Sequence, residues 1–338
     1  MQTGAGAPAA KRKHRIKTLM NAWKILPLEL ALAGTVLAGP LQTAHIAADA
    51  RWVLHLDVEA LLDTSVGQAL AREALDPKFA EAAVKLKREL DFDFDWRRIR
   101  SLTLYGAEYG GPERLRGVML IDTDMDLAAG FEAALQKQAA LGRAEDGDLQ
   151  RLEDGPQPLY CIKEDLYVAL QPDAPVVVGK ARRTALKARS VLVGGAPNLN
   201  TAPGFAAFAT ANRDNFLLVA AEGFSDATPV PPKARVLKMA EGLRCTLGEA
   251  AGEVRASLAL NAKSAETAQQ MQQVVQGMLA LMSLSQVENA DLQKLIRGLR
   301  VGVNDRQLVL DLSLPAAEVA AKIIAEERRK SSLKQSAP

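Results

Sequence analysis

Apolar and polar side chains alternate from the first clear element onward: Trp52, Leu54 and Leu56 point one way, Val53, His55 and Asp57 the other. That period of two predicts a half-buried strand over 51–57. Helical spacing follows over 58–70 and 77–90, then two strands over 99–105 and 115–121, joined by the turn-rich Gly106-Ala-Glu-Tyr-Gly-Gly-Pro112. Asp126 reads as a helix N-cap, Leu127, Phe131, Ala134 and Gln138 mark successive turns, and Gly142 is a C-terminal stop. Short apolar runs at 159–162, 166–170 and 176–178 read as strands, and a basic helix over 181–191 ends at Gly194-Gly195.

The second half has a similar grammar. Strands are predicted over 215–220 and 253–260, with Pro229, Pro231 and Pro232 breaking the chain between them. Ser264 caps a helix running to 284. Residues 297–303 and 307–312 then make a hairpin around Asn304-Asp305, a pair suited to the positive φ of a tight turn. A helix over 315–329 closes the chain, with Arg328, Arg329 and Lys330 at its negative dipole end.

The order helix, strand, strand, helix thus occurs at 77–141 and again at 265–329, with Ile99-Arg-Ser-Leu102 echoed by Ile296-Arg-Gly-Leu299. The expectation is an α+β fold of two duplicated halves, 51–200 and 201–330, each an antiparallel sheet with helices packed on one face. Four echoed positions also arise in unrelated α+β chains, so duplication is one reading of the pattern. Residues 331–338 read as a disordered tail.

Upstream, a basic stretch, Lys11-Arg12-Lys13-His14-Arg15-Ile16-Lys17, precedes an apolar stretch from Leu30 to Ala38 and a small-residue run ending Ala47-Ala48-Asp49-Ala50. This is the order of an export signal. The apolar core is short of the ~20 residues of a membrane span, and extending it backwards meets Glu29 and Lys24. The basic cluster lies well ahead of the core, which offers Met20 as an alternative start. Ala48-Asp49-Ala50 supplies small residues for cleavage, placing 1–50 in the leader and Arg51 at the mature amino terminus. An uncleaved anchor and an internal amphipathic start are the alternatives. No Cys follows the core and no Arg-Arg pair precedes it, which disfavours a lipoprotein and the twin-arginine route.

Taking the leader away changes the charge. The chain has 42 Lys and Arg against 40 Asp and Glu, and residues 1–50 hold six of the former and two of the latter. The remaining 288 residues have 36 against 38, a formal charge of −2. The basicity belongs to the leader and makes no case for nucleic acid, which wants a clustered basic surface. The full chain, at 48% hydrophobic and 24% charged residues, is ordinary for a folded protein, and 288 residues suffice for one large domain or two.

Chemistry proceeds by elimination. With His14 and His45 assigned to the leader, His55 is the sole mature histidine and reads as a sheet residue rather than a base; no Gly-x-Ser-x-Gly elbow accompanies it. One His and two distant Cys do not make a zinc site. The triplets Asp91, Asp93, Asp95 and Asp122, Asp124, Asp126 have the spacing of the first three calcium-loop ligands. The sixth and twelfth positions are Trp96 and Leu102 in one, Leu127 and Ala133 in the other, where Gly and Glu are needed. Turn carboxylates and a helix cap account for both. With aromatic residues at 4% and Trp52 and Trp96 the mature tryptophans, a stacking platform has little material. The glycine-rich 105–112 stretch lacks the Lys and Ser or Thr of a phosphate loop. Ala268, Met271, Val275, Met278 and Met282 recur at helical spacing and read as core, with a soft copper site or an adaptable partner surface as the alternatives. Cys161 and Cys245 read either as one long-range disulfide or as two small buried hydrophobes.

The run Arg51-Trp-Val-Leu-His-Leu-Asp-Val-Glu-Ala-Leu after a leader, with Thr64-Ser-Val-Gly67, Ser101-Leu-Thr-Leu-Tyr-Gly106 and Pro197-Asn-Leu199, resembles uncharacterised exported bacterial proteins sharing this layout. The resemblance implies export and an α+β fold and carries over no active site. The sequence nominates no catalytic residue, cofactor site or metal ligand. It points to a non-catalytic binding or interaction module of the periplasm or cell envelope, periplasmic or secreted, with an unidentified envelope protein or ligand as partner. Membrane contact is confined to residues 20–40 of an uncleaved signal, which would present the domain outside the membrane. The alternative is a carboxylate-based, metal-assisted hydrolase, whose mark would be a concave pocket lined by several of Asp57, Glu59, Asp91, Asp93 and Asp122.

Overall fold

The computed structural model describes residues 41–109, 117–142, 148–155, 157–209, 214–224, 237–285 and 290–335. The basic stretch, the apolar core of the leader, the three-proline break and residues 110–112 of the first turn lie outside them.

Twelve strands are formed by these residues: β1 (Trp52–Asp57), β2 (Ile99–Gly106), β3 (Val118–Thr123), β4 (Leu149–Leu152), β5 (Leu159–Ile162), β6 (Leu166–Ala169), β7 (Val176–Gly179), β8 (Asn215–Glu222), β9 (Ala240–Ala250), β10 (Glu253–Ala262), β11 (Leu299–Asn304) and β12 (Gln307–Pro315). They make one sheet in the order β11-β12-β10-β9-β8-β1-β2-β3-β7-β6-β5-β4. Neighbours are antiparallel throughout, from β11–β12 at one end to β4–β5 at the other. The α+β class is therefore as expected, but the halves share a single sheet, joined where β1 pairs with β8.

The helices are α1 (Val58–Leu62), α2 (Ser65–Leu70), α3 (Asp76–Leu90), α4 (Leu127–Ala140), α5 (Arg182–Leu192), α6 (Pro203–Phe208), α7 (Ala265–Ser285), α8 (Ala290–Gly298) and α9 (Ala316–Gln335). Short polar side chains start several of them. Asp57 Oδ1 accepts from the Ala60 N–H at 2.6 Å, Thr64 Oγ1 from the Gly67 N–H at 2.9 Å, and Asp126 Oδ1 from the Ala129 N–H at 3.0 Å. Gly67 lets α2 follow α1 closely, since a Cβ there would lie 1.9 Å from the Leu61 carbonyl oxygen.

Alternation along the strands gives the sheet two different faces. Leu56 and Leu102 belong to a core under α1 to α4, and Leu56 continues sideways through Leu217, Leu247, Ala256 and Leu312, one residue per strand. On this face α9 packs Val319 and Ile323 beside Val66, and α7 packs Ala268 and Met271 over Leu260 and Leu308. Val53, Leu120, Ala169, Val177 and Ala220 point to the opposite face, under Ile46, α5, Leu199 and Phe205 of α6. Helices therefore cover both faces of the first half rather than one, because β3 and β7 are apolar on both sides and Val53 of β1 and Tyr105 of β2 extend that second apolar face.

Other expectations are corrected by the packing. Helix α9 runs to Gln335, into the stretch read as a disordered tail. Cys161 on β5 and Cys245 on β9 are free, and seven strand spacings of about 4.8 Å separate their strands along the sheet, too far for a disulfide. Of the methionine stripe on α7, Ala268, Met271 and Val275 are buried, whereas Met278 and Met282 are 41% and 38% exposed. The order helix, strand, strand, helix does recur, yet β2 and β3 are central in the sheet while β11 is its edge.

Candidate functional site

Residues 41–50, expected to leave with the leader, form a strap across the second face of the sheet. A single 3-10 turn, Thr43–His45, leads into Ile46, which is fully buried, and Ala47 and Ala50, each 4% exposed. Ala47 bridges to Asn198, Leu199 donates its N–H to the Ile46 carbonyl at 2.7 Å, and the Ala48 N–H donates to the Pro197 carbonyl at 3.1 Å. Thr43 Oγ1 donates to Asn200 Oδ1 at 2.6 Å, and Asp49 pairs with Lys187 of α5. The Arg51 N–H then donates to the Gly106 carbonyl at 2.8 Å, carrying the strap into β1.

Beneath the strap the sheet is unusually polar. The register sets His55 of β1 opposite Thr103 of β2, and Thr103 opposite Leu120 of β3; one step along, Asp57 faces Ser101 and Ser101 faces Asp122. His55, Ser101 and Thr103 are 3%, 8% and 6% exposed, and with Thr246 they make up the buried polar side chains among the described residues. Three of four in one place is notable because a buried polar group costs about 1–3 kcal/mol unless its hydrogen bonds are met. His55 Nδ1 meets Thr103 Oγ1 at 2.7 Å. Tyr105, next along β2 on the same face, is buried, and that burial raises its phenol above the ordinary range.

A small cleft of about 40 Å³, open to solvent on one side, lies between this polar row and the strap. Gln42 and His45 line it from the strap, His55, Ser101 and Thr103 from the floor, and Leu120, Asp122 and Pro175 from the side. Burial holds the His45 imidazole below its ordinary pKa, with the Asp122 carboxylate pulling the other way. Arg100 donates to Asp122 Oδ1 at 2.7 Å, so the carboxylate comes with a counter-charge. Asp57 caps α1 just beyond the cleft, and burial pushes its pKa up to about 7, the Ala60 N–H opposing, with Glu59 and Asp63 adding to the rise.

The cleft offers hydroxyl, amide and imidazole groups and one carboxylate, Asp122, the chemistry of a site that orients a small polar molecule by hydrogen bonds. The His55–Thr103 pair also has the spacing of a base and a hydroxyl nucleophile. Both side chains are buried at the floor of the cleft, at 3% and 6% exposure, so little of either is presented to a substrate carbonyl.

The carboxylates weighed from the sequence are dispersed. Of Asp57, Glu59, Asp91, Asp93 and Asp122, only Asp122 lines the cleft. Asp91 and Asp93 each lie 2.8 Å from Lys87 Nζ, and Asp95 accepts from the Arg97 N–H at 2.9 Å. Asp124 pairs with Arg98 at 2.7 Å, and Asp126 is the cap of α4. Among the described residues no three His, Cys, Asp or Glu side chains are grouped to hold a metal ion. Sequence reasoning missed His45, assigned to the leader, and Ser101 and Thr103, read only as strand positions; the signal lay in the shared parity of His55 with Ser101 and Thr103, visible once β1 and β2 are paired.

A second surface stands apart from the cleft. Along α7, Val274, Met278, Leu281, Met282 and Leu284 are exposed, the two leucines at 68% and 76%. Among the described residues no helix is long and apolar enough to cross a membrane.

The chain matches no protein-family model and no curated protein. Among solved structures it is similar to crystal form III of TP0453, at 12% identity and a TM-score of 0.45, over 85% of this chain and 98% of that one. Crystal form I of TP0453 aligns at 11% identity and a TM-score of 0.42, over 86% and 98%. Similarity this low carries no argument about function.

Proposed function

We propose that the protein is an exported, non-catalytic binding module of the bacterial periplasm or cell envelope that holds a small polar molecule in the cleft beneath its amino-terminal strap. The observation that carries this reading is the gathering of His55, Ser101 and Thr103 under a strap that adds Gln42 and His45 at the opening. A fold that needed the strap only as a cover would fill this floor with apolar side chains, as it does at Val53 and Ala220 on the same face. Export is supported by the order of basic, apolar and small residues ahead of the strap.

The test is a thermal-shift screen of the full chain against small sugars, amino acids and carboxylic acids, followed by calorimetry on the paired variant H45A/D122N. A ligand that stabilises the parent chain and loses at least about tenfold in affinity in the variant supports the reading. A ligand bound equally well by both contradicts it.

The exposed α7 stripe favours a second, compatible role, docking of a protein partner, since contiguous apolar patches mark interaction sites. Leu281→Asp would weaken such an association without touching the cleft.

A further inference from the structure

The two edges of the sheet are finished differently. At the β4 end the Asp148 carbonyl accepts from the Lys163 N–H, so the backbone of Leu149, one residue on, turns away from β5. Gln138 of α4 occupies both of its groups: Nε2 donates to the Leu149 carbonyl at 2.8 Å, and Oε1 accepts from the Leu149 N–H at 3.2 Å. Strand β4 is also only four residues long and carries Arg151, paired with Glu132 and Glu153. Short length, charge and side-chain plugs are the means by which proteins stop an edge from recruiting another strand.

The β11 edge has little of this protection. The Ala262 N–H donates to the Arg306 carbonyl, so the backbone of Gln307, Val309 and Asp311 is left to bond Asn304, Gly302 and Arg300. The backbone groups of Val301 and Val303 therefore point outward, where no strand of the described residues meets them. Gln272 of α7 reaches the Val301 carbonyl at 3.5 Å, the long limit of a hydrogen bond. The strand carries no Lys or Pro. Its Val301 and Val303 side chains pack against the apolar cluster under α7, and Arg300, Gly302 and Asn304 are exposed on the other face.

The geometry points to a second copy of this chain as the occupant, β11 pairing antiparallel with β11 of the other copy about a two-fold axis through Val301. A two-fold interface makes every contact twice from the same residues, so the strand must complement itself. In this register Val301 faces its counterpart, Leu299 faces Val303, and Arg300 faces Gly302, where a Cβ would meet nothing within 4 Å and an arginine has room. Continued outward, the exposed Arg297 at the end of α8 comes opposite the exposed Asp305 of the turn, which puts opposite charges at both ends of the strand pair. Centring the pair on Val303 would instead set Arg300 against Arg306 of the other copy, a like-charge pair made twice. Pairing along so short an edge makes a small interface, and the dimer forms as the concentration rises.

The experiment is sedimentation velocity of the full chain over a concentration series, with amide hydrogen exchange at the two ends of that series. A monomer–dimer equilibrium is expected, with the Val301 and Val303 amides exchanging more slowly in the concentrated sample. Gly302 is an open, exposed position. Gly302→Lys places a second cation opposite Arg300 and is expected to weaken the dimer about tenfold, whereas Gly302→Glu strengthens it. A strand damaged by losing its glycine would weaken association in both variants, so the opposite signs separate pairing from misfolding. A chain that stays monomeric at every concentration overturns the inference, and so does a dimer indifferent to the sign of the charge at 302, which would assign association to another surface.

Discussion

The Nδ1 atom of His55 and the hydroxyl of Thr103 lie 2.7 Å apart across β1 and β2, joining two side chains that are 3% and 6% exposed. Thr103→Val keeps the shape and removes the hydroxyl, so the buried imidazole loses that partner. A loss of about 1–3 kcal/mol is expected in urea denaturation, with Thr103→Ser recovering most of it. A Val variant as stable as the parent would mean that the contact contributes little to the sheet.

His45 should make the protein sensitive to acid. Burial lowers its folded-state pKa below the ordinary imidazole value, with Asp122 opposing. Between those two values the unfolded chain holds a proton that the folded chain has released, so this contribution is complete above about pH 6.5 and falls away as the pH drops. His45→Gln is expected to flatten that part of the melting-temperature profile. In nuclear magnetic resonance titration, Asp122→Asn should move the His45 midpoint still lower; a rise would contradict the placement of the carboxylate.

Asp57 acts in the opposite sense. Its folded-state pKa is about 7, raised chiefly by burial, against 3.8 as the reference value. The folded chain therefore keeps a proton that the unfolded chain releases, and the contribution is present at low pH and lost as the pH rises towards 7. Asp57→Asn retains an oxygen to cap α1 and cannot ionise. Its stability relative to the parent should climb from pH 4 to pH 8; parallel profiles would contradict the shift.

Much of the fold was legible because local signals agreed with the tertiary pattern. The alternation of β1, the caps at Asp126 and Ser264, and Gly142 and Gly194, with φ of 71° and 73°, all lie where the sequence predicts. Strand β9 was not legible. Its Gly242, Gly248, Glu241 and Glu249 lower β propensity, and it is a strand because β8 and β10 pair with it on both sides. Gly248 is there for closeness: a Cβ would lie 2.0 Å from the Asp214 carbonyl oxygen. The tight turn between β11 and β12 falls one residue later than expected, with Asp305 at φ 50° as its first position.

The site was harder to see, since nothing local distinguishes a strand threonine from a cleft threonine. Ser101 and Thr103 become neighbours of His55 only through long-range pairing. His45 was hidden by an ambiguity of composition: a run of small residues suits a peptidase, and it also suits a strap pressed against a sheet.

The central claim, that residues 41–50 belong to the folded domain and complete its cleft, is tested most directly by Ile46→Ala in the full chain. Ile46 is fully buried among Leu199, Val53 and the α5 side chains. Urea denaturation should show a loss of about 2–4 kcal/mol with an unchanged slope. A change within about 0.5 kcal/mol, as at an exposed position, would contradict the account.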